Sequence, residues 1–359
     1  MVSPAHAQLY LVCSRRLNIV RFLTAVPLSH VAPPLATYLR FFPRLWQGKF
    51  FAVGTNDRSL SICSIDDAFF DPDTPPSARS QLVACVQRCP NYHLGSVYCV
   101  EWNHDGSLIA TSGNDKRVRI AQFHEPNIPG REGERLTPCL LLEGHNGTIR
   151  DLSFGAGQCS GRVLTAGAGD CIVRVWNVED ASRREPELLL NGHTDAVWSV
   201  TVDATGRNAL TASQDGIISI WDLRTGELAE NLRRAERACS AEVWPSSPFH
   251  VGATYSDGAV VVWDVRSTSQ PAEILFRHSK ESRSIESVAQ PAPMSVTSSF
   301  DGTAAVHTMR DTTFEDSYSL PHPGRVVRAR WHPVHHSVLA CTDSSVVMWV
   351  SPAANDTAN

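Results

Sequence analysis

The stretch that decides the fold runs from residue 192 to residue 222 and reads GHTDAVWSVTVDATGRNALTASQDGIISIWD. It contains three short runs rich in apolar and β-branched residues, at 197–200, 208–211 and 217–221, and such runs indicate β-strands. The pair Asp215-Gly216 between the second and third runs is typical of a tight hairpin turn. The stretch therefore predicts three antiparallel strands, the last of which ends at Trp221.

This unit recurs along the chain. The turn aspartate returns at intervals of 58, 55, 45, 42, 44 and 42 residues, and its seven copies are Asp57, Asp115, Asp170, Asp215, Asp257, Asp301 and Asp343. A repeat of roughly 20–50 residues indicates an architecture in which every unit is one supersecondary element. No long stretch with a period of about 3.6 residues competes with it. The sequence therefore predicts an all-β protein of seven similar sheets.

The repeated unit resembles the WD40 family over residues 36–350, since Gly192-His193 and Trp221-Asp222 match the two dipeptides that mark its repeats. In that family a His, a Ser or Thr, the turn Asp and the Trp form a buried hydrogen-bonded set. The resemblance implies a seven-bladed WD40 β-propeller, and it assigns the structural set to His193, Ser213, Asp215 and Trp221. Other repeats depart from the pattern, with Ala121 and His307 in place of Trp.

Two groups of residues also suggest chemistry. A Ser, a His and an Asp suggest a hydrolase triad, but this set recurs with the repeats, whereas a nucleophile is expected once. A set of buried polar atoms that satisfy one another is therefore favoured. The histidines of the run 332–336, HPVHH, suggest a metal site, but the run has no acidic partner and reads as a loop. We expect no enzymatic activity, no cofactor and no metal.

Composition excludes several other classes. The chain has 359 residues, 42% of them hydrophobic and 19% charged, which allows a sizeable core. The formal net charge of -5 gives no basic field for nucleic acid. Pro27, Pro33 and Pro34 interrupt the apolar stretch at 22–39, so neither a membrane span nor a secretory signal is predicted. The ten cysteines include no C-x-x-C pair of the kind that binds zinc.

The N-terminal segment has two interpretations. No acidic residue precedes Asp57, and several arginines do, which is one mark of a mitochondrial transit peptide. A propeller, however, needs an N-terminal strand to complete its last blade and remove the open edges. We therefore expect residues 1–35 to supply the closing strand, from Leu9–Val12 or Leu17–Phe22. Residues 351–359 are expected to form a polar tail after the propeller.

A binding surface is predicted on the top face, where the innermost strand of each blade begins. In the WD40 family partners commonly sit there, around the central channel. Large aromatic residues and arginine anchor many interfaces. By position in the repeat, the resemblance assigns this surface to Tyr98, Asn114, Arg150, Trp198 and Gln214. Packing between blades is the alternative for Trp198, and an ion pair between blades is the alternative for Arg150.

A second surface is suggested by two consecutive W-D-x-R boxes, at 221–224 and 263–266. They resemble the motif by which some WD40 proteins dock onto the adaptor of cullin-RING ubiquitin ligases. In that interpretation Arg224 and Arg266 contact the adaptor, and the protein is a substrate receptor. Arginine after Trp-Asp-x is also common in WD40 repeats that have no such role.

Several stretches are similar to the propeller of nemitin-type microtubule-associated WD-repeat proteins. They are 52–60 (AVGTNDRSL), 95–100 (GSVYCV), 146–154 (NGTIRDLSF) and 166–171 (AGAGDC). The similarity is strongest in the first three or four blades. It implies a non-catalytic scaffold in the cytoplasm, at the cytoskeleton or cilium, that binds microtubule-associated or axonemal proteins and neither nucleic acid nor membrane. The oligomeric state is left open.

Overall fold

The computed structural model forms a closed ring of seven four-stranded antiparallel sheets, the blades of a β-propeller. It describes residues 24–27, 36–41, 48–71, 73–124, 135–180, 182, 184–244, 247–268, 273–288, 293–310, 313–343 and 345–350. The predicted all-β fold with seven blades is confirmed. Among these residues, no helix has the length and apolar character needed to cross a membrane.

In blades 1 to 6 the strands run outward from the channel in chain order, whereas the outermost strand of blade 7 comes from the N-terminal end of the chain. The first four blades are blade 1 (β2 Ala36–Phe41, β3 Phe50–Thr55, β4 Leu60–Ile65, β5 Val83–Cys89), blade 2 (β6 Val97–Trp102, β7 Leu108–Gly113, β8 Arg117–Phe123, β9 Leu136–Glu143), blade 3 (β10 Ile149–Phe154, β11 Arg162–Gly167, β12 Ile172–Asn177, β13 Leu188–Asn191) and blade 4 (β14 Val197–Val202, β15 Asn208–Ser213, β16 Ile217–Asp222, β17 Leu228–Arg233).

The remaining blades are blade 5 (β18 Ala238–Val243, β19 His250–Tyr255, β20 Ala259–Asp264, β21 Glu273–Arg277), blade 6 (β22 Ser282–Val288, β23 Met294–Ser299, β24 Thr303–Arg310, β25 Thr313–Pro321) and blade 7 (β26 Val326–Trp331, β27 Ser337–Thr342, β28 Val346–Val350, β1 Thr24–Pro27). Short helical turns occupy Asp67–Phe70, Pro76–Arg79, Ser80–Leu82 and Gly157–Cys159.

An N-terminal strand closes the ring, as the sequence predicts. β1 pairs antiparallel with β28, with Thr24 opposite Val350. Neither stretch predicted for this strand was correct, because the strand that pairs with β28 is Thr24–Pro27. The two predicted stretches, Leu9–Val12 and Leu17–Phe22, lie outside the described residues. Pro27 is tolerated because β1 is an outer edge strand, where a missing backbone N–H costs no ladder bond on the solvent side.

The core lies in the seams between blades. The described residues form seven hydrophobic clusters, each built from two neighbouring blades. At the closing seam, Phe51 and Val53 of blade 1 join Leu339 and Met348 of blade 7 in one such cluster. Burying a side chain of this size contributes about 1.5–3 kcal/mol, so every blade is stabilised mainly by its neighbours. The rigid ring therefore holds the loops of its two faces in fixed positions.

Candidate protein-binding site

A β-bulge recurs at the start of the innermost strand in all seven blades. In each of these strands the register shifts between the first residue and the third, which leaves the second residue without a partner in the ladder. A bulge re-aims the side chain of its extra residue. In blades 2 to 7 the bulged residues are Tyr98, Arg150, Trp198, Cys239, Arg283 and Val327.

These bulged residues meet at the top mouth of the channel. All six line one cavity of about 330 Å³, together with Asn56, Phe300, Arg325, Arg328 and Asp343. Most of them are half-buried, while the residues on either side of each bulge are buried against the seams. The repeat therefore turns one position per blade into a shared surface, which we call the mouth cavity.

Arg150 occupies a stacked position on one side of the mouth cavity. Its guanidinium carbon lies 4.5 Å from the ring centre of Tyr98 and 4.9 Å from that of Trp198. Such cation–π contacts are worth about 0.5–2 kcal/mol each and hold the planar group in one orientation. The structure thus brings together three of the five residues predicted for the top face.

The other two predicted residues lie beside the cavity and outside its lining. The side-chain oxygen of Gln214 accepts a hydrogen bond of 3.0 Å from the indole N–H of Trp198. The side-chain oxygen of Asn114 accepts one of 2.8 Å from the hydroxyl of Thr148, in the neighbouring blade. Gln214 therefore fixes the Trp198 ring, and Asn114 links two top-face loops.

The remaining arginines around the mouth have carboxylate partners. Glu281 pairs with both Arg237 and Arg283, and Asp343 lies 3.2 Å from Arg325. Arg237 and Arg283 also face the Trp198 ring, so this indole contacts three guanidinium groups. Arg150 differs from them, because no described carboxylate lies within ion-pair distance of its guanidinium.

An ion pair closes the bottom of the mouth cavity. Arg328 of blade 7 reaches Asp151 of blade 3, with 3.1 Å between the guanidinium nitrogen and the carboxylate oxygen. Below it, a second cavity of about 80 Å³ is lined by acids and arginines that include Glu242 and Arg330. Burial raises the pKa of Glu242 to about 7. The interior of the channel is therefore polar, and Arg328 lines both cavities.

The predicted structural set requires one correction. His193 contacts Asp215 through Nδ1 at 2.9 Å, as expected, but its Nε2 lies 2.7 Å from the hydroxyl of Thr211. Trp221 donates its indole N–H to the same hydroxyl at 2.9 Å. Ser213 instead donates to the backbone carbonyl of Asp195. The hydroxyl of the set is thus Thr211, because Ser213 lies at the end of β15, near the turn and away from His193.

This geometry also bears on the hydrolase interpretation. A catalytic serine needs a hydrogen bond to its histidine base. Ser213 makes none with His193, and the Thr211 hydroxyl that does so is fully buried and shared with an indole. These residues therefore form a structural set rather than a catalytic triad.

Equivalent sets recur in other blades with altered members. Their core pairs are His93 with Thr111, His145 with Thr165 and His278 with Thr297. In blade 3 the hydroxyl is again on the second strand, at Thr165, which contacts both His145 and the Trp176 indole. Burial favours a higher pKa for Asp170, but the hydrogen bond and charge of His145 and the charge of Arg174 hold it well below its usual range.

The two arginines of the W-D-x-R boxes follow β16 and β20 at the opposite, bottom face. Arg224 is exposed. Arg266 hydrogen-bonds twice to Asp264 of its own box, at 2.9 and 2.7 Å, and lies over the ring of Phe249. The guanidinium of Arg266 is therefore already held by Asp264, whereas Arg224 is exposed.

The histidine run at 332–336, which suggested a metal site, forms a loop held by its own hydrogen bonds. Nδ1 of His332 accepts hydrogen bonds from the backbone N–H groups of Val334 and His335.

Sequence reasoning missed several lining residues of the mouth cavity. Arg283 and Cys239 hold the same bulged position as Arg150, and Phe300 precedes a turn aspartate as Asn114 and Gln214 do. The positional rule that identified Tyr98 applies to them as well.

Comparisons with known proteins agree with this architecture. Residues 84–121, 136–177 and 184–222 match the family model described as WD domain, G-beta repeat. The solved WD40 β-propeller domain of Doa1 superposes with a TM-score of 0.66 over 88% of this chain and 92% of that chain, at 16% sequence identity. A likeness at that identity shows the fold alone.

Among curated proteins, the chain is 26% identical to ribosome biogenesis protein YTM1 of Meyerozyma guilliermondii over 277 residues, covering 67% of this chain and 59% of that protein. It is 24% identical to protein tipD of Dictyostelium discoideum over 280 residues, covering 76% and 42%. The chain thus spans well under two thirds of the length of these relatives. Three stretches of the chain thus match the WD40 repeat model, and the propeller neighbour shows the same fold.

Proposed function

We propose that the chain is a non-catalytic platform for protein–protein interaction that binds a segment of its partner in the mouth cavity. One observation supports this choice of surface: the bulges of the innermost strands collect Tyr98, Arg150 and Trp198 in a single half-buried cavity. Tyrosine, tryptophan and arginine are the residues most enriched among interface hot spots. A WD40 propeller without a catalytic set is typical of such scaffolds.

For the partner, we propose a microtubule-associated or axonemal protein, in the cytoplasm at the cytoskeleton or cilium. The support is the resemblance of the first blades to nemitin-type propellers, above all in residues 146–154, which contain Arg150. The curated relatives support a competing choice, because YTM1 is named a ribosome biogenesis protein. The experiment must therefore separate the binding surface from the identity of the partner.

The test is affinity purification of the tagged chain from cells of its own organism, with quantitative mass spectrometry of the unmodified chain, Trp198→Ala and Tyr98→Ala. We expect microtubule-associated or axonemal proteins to be enriched and to be lost from both variants while thermal unfolding stays unchanged. Enrichment of ribosome assembly factors in place of cytoskeletal proteins would overturn the cytoskeletal proposal. Partners that persist on both variants would overturn the mouth cavity as the binding surface.

The bottom face supports an alternative, a substrate receptor of a cullin-RING ligase. The observation in its favour is the exposed Arg224 after a Trp-Asp pair. Arg266 favours it less, because Asp264 already holds its guanidinium. The same purification tests this alternative with the double variant Arg224→Ala and Arg266→Ala. A cullin and its adaptor that co-purify with the unmodified chain and are lost from the double variant would establish it.

A further inference from the structure

The positively charged side chain of Arg150 forms no ion pair with any described carboxylate. The lining of the mouth cavity contains four arginines and one aspartate, although the whole chain has a formal charge of -5. Arg325 is paired with Asp343 and Arg328 with Asp151. Arg283 is paired with Glu281. Of the four lining arginines, Arg150 alone has no carboxylate partner among the described residues.

The same guanidinium is held in place before any ligand arrives. Tyr98 and Trp198 contact it at 4.5 and 4.9 Å, and Trp198 is itself fixed by Gln214. A guanidinium that is already oriented loses less entropy when it binds an anion, since its planar N–H groups match two oxygen atoms at once.

We propose that the mouth cavity binds an acidic segment of a partner protein and that one anionic side chain of that segment sits on the guanidinium of Arg150. This inference rests on the proposed function and specifies the chemistry of the partner. The anion is a planar or tetrahedral oxygen group, supplied by glutamate or aspartate or by a phosphorylated serine.

The size and lining of the cavity favour a peptide over a free ion. A volume of about 330 Å³ lies at the lower end of the range for ligand pockets, roughly 300–1,000 Å³, and holds side chains of a short segment. Tyr98 and Trp198 provide apolar surface beside the Arg150 guanidinium, and Phe300 adds apolar surface elsewhere in the same cavity. A short acidic segment with an apolar neighbour therefore matches both the charge and the surface.

The experiment uses the full chain and three short peptides of equal length that carry a dye without net charge. The first peptide alternates glutamate with glycine. The second has glutamine in place of each glutamate, and the third has phosphoserine at those positions. Binding is measured by fluorescence anisotropy for the unmodified chain, Arg150→Gln, Arg150→Lys and the control Arg310→Gln. Arg310 is an exposed arginine on β24 that pairs with Glu315 and does not line the cavity.

We expect an anionic peptide to bind about tenfold more tightly than the glutamine peptide, and Arg150→Gln to remove that difference. Arg150→Lys should retain part of it, and Arg310→Gln should retain all of it. Tighter binding of phosphoserine identifies a phosphorylated segment, and equal or tighter binding of glutamate identifies an acidic one. Equal binding of all three peptides, no binding up to millimolar concentration, or an unchanged preference in Arg150→Gln overturns the inference.

The failure of this inference differs from that of the proposed function. If Trp198→Ala releases the cellular partners while Arg150→Gln keeps them, the mouth cavity is a binding platform and the anionic side chain is excluded. If neither variant changes the partners, the platform itself lies elsewhere.

Discussion

The guanidinium of Arg328 on β26 lies 3.1 Å from the carboxylate of Asp151 on β10, across the central channel. The two residues are 177 positions apart in the chain and belong to blades 7 and 3. Both side chains are less than 10% exposed, and Asp151 also accepts a hydrogen bond from the backbone N–H of Val200. This pair therefore connects three blades in the interior of the ring.

Removing one partner of this ion pair should cost more than removing both. Asp151→Asn leaves a buried arginine without its carboxylate, and we expect the free energy of unfolding in urea to fall by about 3 kcal/mol. The double variant Asp151→Leu with Arg328→Met replaces both charges by apolar groups, and its free energy of unfolding should fall by less than that of Asp151→Asn. A loss below about 1 kcal/mol in Asp151→Asn would show that the pair does not stabilise the ring.

The corrected structural set in blade 4 gives a direct comparison of two hydroxyls. Thr211→Val removes the partner of both His193 Nε2 and the Trp221 indole, so we expect a loss of about 2–3 kcal/mol. Ser213→Ala removes one hydrogen bond to a carbonyl and one from the backbone N–H of Asp215, and should cost about 1 kcal/mol. Urea unfolding of the two variants checks this order, and the reverse order would restore Ser213 to the set.

Cys85, on the outer strand of blade 1, should be an unusually reactive thiol. A hydrogen bond from the thiol of Cys63, directly opposite on β4, is the main cause that lowers the pKa of Cys85 to about 6. Cys139, on the outer strand of blade 2, is also exposed, but burial of its sulfur raises its pKa. At pH 7 we expect iodoacetamide to modify Cys85 about fivefold faster than Cys139, because the thiolate is the nucleophile and Cys85 is the more ionised of the two.

The pH profile provides the control for this thiol. Modification of Cys85, followed by mass spectrometry of its peptide, should level off above about pH 7, whereas that of Cys139 should still rise at pH 9. Cys63→Ala removes the hydrogen bond and should shift the Cys85 profile to higher pH. Parallel profiles for the two thiols would contradict the prediction.

His322 should make the closing blade sensitive to acid. Its Nδ1 donates to the carbonyl of Leu320 at 2.8 Å, and its Nε2 accepts from the indole of Trp349 at 3.1 Å. Burial lowers the pKa of His322 to about 4. The unfolded chain therefore protonates this imidazole near pH 6.5, whereas the folded chain does so only near pH 4. The contribution of neutral His322 to stability is fully present above about pH 6.5 and is lost as the pH falls towards 4.

His322→Phe removes the titrating group and isolates its contribution. Between pH 7 and pH 4.5, the free energy of unfolding of the unmodified chain should fall by about 2 kcal/mol more than that of the variant. Thermal unfolding across this range measures the difference. Identical pH dependence in the two proteins would show that His322 does not contribute.

The sequence was sufficient for the architecture because a propeller repeats one local pattern. The turn at Asp215-Gly216 and the alternation of apolar residues up to Trp221 specify one hairpin, and their return at the other turn aspartates specifies the number of blades. The positions of Tyr98, Arg150 and Trp198 at the top face also followed from the repeat, since residues at one repeat position share a face. Whether they bind a partner remains a proposal.

The tertiary structure decided what depends on contacts between distant segments. Local spacing suggested Ser213 for the structural set, but the fold places Thr211, two residues earlier on the same face of β15, against His193. Ser213 ends the strand near the turn and donates to the carbonyl of Asp195 instead. Spacing also did not select Thr24–Pro27 as the closing strand, since pairing with β28 is a contact between the two ends of the chain. Ring closure likewise creates the pair of Arg328 and Asp151, and it gives Arg150 no carboxylate partner in the described part of the chain. The sequence alone determined the repeating blade, because strands and turns are local, whereas the charge balance inside the ring was decided only when distant blades met around one channel.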